Sequence, residues 1–75
     1  MQDEVIRKAH HYIANTYNRY PVVVTKGEGC WIWDMTGRRY LDFLAGIAVC
    51  NLGHARQDIA DAIAVQARKL FHVSN

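Results

Sequence analysis

Candidate chemistry in this chain begins with six soft or imidazole side chains: Cys30, Cys50, His10, His11, His54 and His72. Cys50 and His54 come nearest to a ligand pair, but no Cys-x2-Cys or His-x3-His spacing is present to close a tetrahedral zinc site. No metal ligand is assigned. Gly27 and Gly29 are the one glycine pair, and they stand between two strand-like runs. A dinucleotide loop instead joins a strand to a helix, whose N-terminus receives the phosphate, so this pair is expected to be a hairpin turn. Ser74 lacks the strand–turn–helix elbow that activates a nucleophile, and neither cysteine has an acid or histidine at an interpretable spacing. Asp34 and Asp42 could act as a carboxylate pair, or be solvated turn acids or partners of Arg38 and Arg39. Composition and spacing alone give no catalytic residue. They describe a piece of an enzyme, or a non-enzymatic oligomerisation or interaction module.

The elements that must position these groups have little material to work with. A chain of 75 residues buries only about 60–65% of the surface exposed when unfolded. The hydrophobic share is 51%, with eight aromatic residues that include two Trp. That much apolar surface around so small an interior implies that part of it faces a partner. Nine Lys and Arg against seven Asp and Glu leave a net charge of +2, too weak and too evenly spread for a nucleic-acid footprint. Cys30 and Cys50 form no disulfide framework and are expected as buried, reduced thiols of an intracellular protein. The acidic opening Met1-Gln2-Asp3-Glu4 is no signal peptide, and the longest apolar run, Phe43 to Cys50, falls short of the roughly 20 residues that span a bilayer. A soluble, cytoplasmic chain without membrane contact is expected.

Apolar residues at Val5, Ile6, Ala9, Tyr12, Ile13 and Tyr17 predict a helix from Asp3 to about Tyr17, closed by Tyr20-Pro21. Val22 to Thr25 is β-branched, and Cys30 to Asp34 alternates with both Trp on one face. Met35 to Arg38 is a turn, and Arg39 to Phe43 returns as a partner strand. In Phe43 to Cys50 the small residues Ala45, Gly46 and Ala48 imply either tight packing or the close approach of a backbone or ligand. From Asp58 to Phe71 the stripe Ile59, Ile63, Ala67 and Leu70 predicts a second helix, with Asp58 as its cap. No stop signal precedes Asn75, so the chain reads as cut there. The expected class is an α+β fragment: helix arm 1–20, antiparallel β-meander 21–45, and a segment with a helix at 46–75.

The order of the motifs carries more than any one of them. Pro21-Val22-Val23-Val24-Thr25-Lys26-Gly27-Glu28-Gly29 is followed by Trp33-Asp34-x-x-Gly37-Arg38-x-Tyr40-Leu41-Asp42-Phe43. Gly46-Ile47-Ala48-Val49, Leu52-Gly53-His54, and then Gln66, Leu70, His72, Ser74 and Asn75 complete the series. Together they resemble the N-terminal segment of the class III pyridoxal-phosphate aminotransferases, from about Tyr17 onward. Within that family, Gly46-Ile47-Ala48-Val49 resembles the branch that acts on N-acetylornithine in arginine biosynthesis. One departure stands out: Ala55 is followed by Arg56-Gln57 where the family has His-Pro, a proline that would preset the next helix.

The resemblance implies a homodimeric parent of α/β aspartate-aminotransferase-like fold that passes an amino group from N-acetylornithine to 2-oxoglutarate. Pyridoxal 5'-phosphate would be its cofactor. The lysine, aspartate, phosphate-binding loops and arginine that hold cofactor and substrate would all lie beyond this sequence. No catalytic or cofactor-binding residue is therefore carried over, and the segment alone is expected to be inactive and cofactor-free. Two positions are carried over as substrate-pocket residues: Ile47, where relatives place an aromatic or an aliphatic side chain, and Tyr17, where several have a tyrosine near the substrate. Tyr17 has an equal competing reading, as a last-turn aromatic on the buried face of the first helix. Relatives acting on ornithine, succinylornithine or 4-aminobutyrate are the alternatives within the family. The expected partners are the remainder of the aminotransferase chain and its dimer mate.

Overall fold

Gln2–Tyr12 form helix α1 in a computed structural model that describes all residues from Met1 to Asn75. Asp3 and Glu4 lie in its first turn and His10 and His11 in its last, the charge order that suits the helix dipole. The helix stops five residues before Tyr17. Ile13 is already extended, and Ala14-Asn15-Thr16-Tyr17-Asn18 offers no strong helix former after its alanine. The apolar spacing of Ile13 and Tyr17 was thus coincidental, and Tyr17 sits on a loop rather than on a buried helix face.

Three strands follow as an antiparallel sheet in the order β1-β2-β3. They are β1 (Val24–Glu28), β2 (Trp31–Asp34) and β3 (Arg39–Leu41). Glu28 pairs with Trp31, which leaves Gly29 and Cys30 as the two-residue turn. Gly27 is therefore inside β1, and only Gly29, at φ +58°, takes the turn conformation expected of the pair. Thr25 is the extra residue of a bulge, since Val24 faces Asp34 while Lys26 faces Trp33. Both Trp share a face and carry a cation each, with Lys26 Nζ 4.4 Å from the Trp33 ring centroid and Arg39 4.0 Å from that of Trp31.

The β2–β3 turn is organised by Asp34, the one buried residue of the chain, at 6% exposure. Its Oδ1 accepts from the Thr36 amide at 2.8 Å, the Thr36 hydroxyl at 2.6 Å and the Arg38 amide at 3.1 Å, while Oδ2 accepts from the Tyr40 hydroxyl at 2.8 Å. Asp34 is thus neither a solvated acid nor a partner of an arginine side chain. Donation from the Thr36 hydroxyl leads the causes that lower its carboxyl to about 2, against desolvation that works the other way. A carboxyl lowered on folding stabilises the folded state above its unfolded value and loses that contribution as pH falls through the folded one. Asp34→Asn in the full-length protein should therefore lower the urea midpoint at neutral pH, and the gap to wild type should close as pH falls from about 4 towards about 2. A gap that stays constant across that range would show that the charge is not what organises the turn.

Beyond β3 come the short turn α2 (Ala45–Ala48) and helix α3 (Gln57–Ala67). Arg56 is the N-cap of α3 and makes no side-chain capping bond. Asp58, expected as the cap, lies in the first turn and accepts from Arg56 Nε and Nη2 at 3.0 and 2.8 Å. The helix ends at Ala67 rather than Phe71: the Lys69 amide bonds the Gln66 carbonyl only three residues back, a tighter closing turn, and the Gln66 side-chain amide donates to the Leu70 carbonyl at 2.8 Å.

No hydrophobic side chain is buried. The accessible surface is 6948 Å², whereas a folded monomer of this mass exposes roughly 4,700 Å². The radius of gyration is 15.4 Å, against about 11 Å for a compact domain of this length. Neither long helix packs on the sheet. The segment has the elements of a fold without the second layer that would cover them. As an isolated 75-mer it should bind an apolar dye and self-associate, to be read by fluorescence and light scattering. A dye-negative monomer would contradict this.

Candidate functional site

Asp42, the first residue after β3, has its own amide tied to the Cys30 carbonyl at 2.8 Å. Its Oδ1 accepts from the Leu44 and Ala45 amides at 3.0 and 2.9 Å, and Oδ2 lies 2.6 Å from His54 Nε2. The Ala45 amide and then the His54 ring lower its carboxyl, because hydrogen bonds to the charged form favour it. Both side chains are largely shielded, at 14% and 21% exposure.

What Asp42 caps is unusual. Ala45, Gly46, Ile47 and Ala48 have φ of 52°, 64°, 59° and 66°, and the Ala48 amide bonds back to Leu44 at 2.9 Å. This is one turn of left-handed helix. Three of its residues are not glycine, and each such residue costs roughly 1–2 kcal/mol in that region. The Cys50 amide adds a bond to the Ala45 carbonyl at 2.8 Å. A Cβ on Gly46 would meet only Val49, at 3.7 Å, so Gly46 serves the positive φ rather than a close approach within this chain.

His54 is held from its other side by the hairpin. Its amide donates to Gly29 at 2.8 Å and its carbonyl accepts from the Gly29 amide at 3.1 Å. A Cβ on Gly27 would lie 2.8 Å from both Cβ and Cγ of His54, so the histidine side chain occupies the place of a missing side chain in β1. Next to it, an apolar cleft of about 410 Å³ opens between the loop at Val49–Arg56 and the face of α3 that carries Ile59 and Ile63.

Of the two residues carried over by resemblance, Ile47 stands at the left-handed turn and is 89% exposed, and Tyr17 on the loop after α1 is 79% exposed. Neither lines the cleft beside α3 or the smaller one between α1 and Arg19–Val23. Asp34 and Asp42 serve separate sets of partners, so they are no carboxylate pair. Cys30 is exposed at the hairpin turn and Cys50 half-buried, against the expectation of two buried thiols. The His, Cys, Asp and Glu side chains form no group of three. Sequence reading passed over the Asp42–His54 pair. Its two members are twelve residues apart, and the only signal was that both fall within the quoted motifs.

The sequence matches the family described as Aminotransferase class-III over residues 12–75. The chain belongs to the class-III aminotransferases. It is 56% identical over 64 residues to an acetylornithine aminotransferase of Gloeobacter violaceus and 48% identical to one of Prochlorococcus marinus, covering 85% of this chain in each case. These matches take in only 16% and 15% of the relatives' lengths. A crystal structure of acetylornithine aminotransferase from Elizabethkingia anophelis superposes over 99% of the chain with a TM-score of 0.89 at 35% identity, using 18% of its own length. Plasmodium falciparum ornithine delta-aminotransferase does so with 0.88, also at 35% identity. The helix–meander–helix order read from the sequence is therefore a piece of this family's fold, which explains the missing second layer.

The class-III family implies pyridoxal phosphate, but the residues of this aminotransferase segment do not fit it. Lys8 pairs with Glu4 at 3.5 Å, Lys26 lies on Trp33, and Lys69 follows the end of α3. None reaches the apolar cleft, and the Arg56 at its rim is engaged by Asp58. No step through the cofactor follows from this chain.

Proposed function

We propose that these residues are the N-terminal segment of a cytoplasmic, homodimeric acetylornithine aminotransferase of arginine biosynthesis. The observation that carries this is the identity of 48–56% over 85% of the chain to enzymes of that name. In the whole enzyme pyridoxal phosphate would supply the electron sink for moving the amine of N-acetylornithine to 2-oxoglutarate. The share of this segment is shape. Ile47 forms part of the substrate wall, where an aliphatic side chain leaves room for an acylated donor, and Tyr17 lies near the same pocket from the N-terminal arm. The uncovered faces, including Tyr20, Phe43, Leu44 and Phe71, pack on the remainder of the chain and on the dimer mate. On its own the segment is inactive.

The absence of any buried apolar side chain weighs against a self-sufficient interaction module. The full-length protein should be assayed with N-acetylornithine, N-succinylornithine, ornithine and 4-aminobutyrate, with 2-oxoglutarate as acceptor. A kcat/KM for N-acetylornithine at least about tenfold above that for ornithine is expected, the discrimination an apolar pocket can supply. Equal or reversed preference would overturn the assignment.

A further inference from the structure

We propose that His54, acting through Asp42, is the positioning residue that sets where Ile47 stands in the substrate pocket. This rests on the reading of Ile47 as pocket wall. The strained turn at Ala45–Ala48 needs an external hold, since only one of its four residues is a glycine. Asp42 provides that hold with one oxygen, which takes both the Leu44 and Ala45 amides. A carboxylate so engaged can still swing about its own side-chain bonds. The bond from His54 Nε2 to the other oxygen, at 2.6 Å, fixes its plane.

His54 in turn cannot drift. Its backbone is paired in both directions with Gly29, and its Cβ and Cγ fill the gap over Gly27. A continuous path of short contacts therefore runs from the hairpin through His54 and Asp42 to the turn that presents Ile47. Loss of the imidazole leaves the turn capped but free to tilt, and misplacement of a substrate-contacting group is costly even when small.

The test uses the full-length, cofactor-loaded enzyme with His54→Ala, His54→Gln, Asp42→Asn and Ile47→Ala. Hydrogen exchange of the peptide covering 43–50 should rise in His54→Ala and Asp42→Asn. His54→Ala should also raise KM for the amino donor by about 10–100-fold, with kcat less affected. His54→Gln, which keeps an N–H for Asp42, should restore most of both. In an Ile47→Ala background His54→Ala should add little, because the two act as one unit. Unchanged exchange at 43–50, or the same rise in KM with Ile47 already removed, would overturn the proposal. If the wild type proves to prefer another donor, the substrate reading falls, and exchange at 43–50 with the KM of that donor still decides the role of His54.

Discussion

Ile47→Tyr in the full-length enzyme is expected to lower the preference for N-acetylornithine over ornithine by roughly 10–200-fold, the range set by small changes in pocket shape. The side chain stands on a left-handed turn and is almost wholly uncovered in the segment, so nothing within these residues competes for it. If Ile47 is the pocket wall proposed above, a phenol ring there would occupy space needed by an acylated donor, and it would add a hydroxyl in need of a partner. The comparison is one of kcat/KM for the two donors, measured with the same acceptor. Unaltered preference would remove Ile47 from the pocket, whatever the enzyme's natural donor proves to be.

Gly27→Ala should be the most damaging small substitution in the sheet. The added methyl would sit 2.8 Å from two atoms of His54 that lie next to its backbone, and that backbone is tied to Gly29. Neither side can yield cheaply, and overpacking of this kind costs about 1–3 kcal/mol. The denaturation midpoint of the full-length protein should fall accordingly. Donor KM should rise with it, because the displaced imidazole loses Asp42. By contrast, a Cβ on Gly46 would make only an ordinary van der Waals contact with Val49, at 3.7 Å, and its substitution should act through the positive φ. A Gly27→Ala enzyme with unchanged midpoint would mean that the contact with His54 is loose.

The elements differed in how much of them the sequence disclosed. The meander was readable because alternation in Trp31–Asp34 and the Met35–Arg38 turn are local features, set by side-chain pleat and by backbone preference. Helix ends were less readable. Ile13 and Tyr17 continued the apolar spacing of α1 by accident, and Asp58 resembled a cap although the chain enters α3 two residues earlier, at Arg56. Gly27 looked like part of a turn because a glycine that makes room for another residue is indistinguishable, in one dimension, from one that bends the chain.

By itself the sequence determined the α+β order of this segment, its two amphipathic helices and, through the spaced motifs, its family. Those properties follow from residue types at short separations. Only the tertiary structure decided the hand of the turn at Ala45–Ala48, the pairing of Asp42 with His54 and the burial of Asp34. Each depends on groups brought together by sheet register, and in an Ala-Gly-Ile-Ala run local propensity opposes the conformation that is formed. The apolar excess predicted a covering partner. That no hydrophobic side chain is buried without one became visible only once the elements had been placed in space.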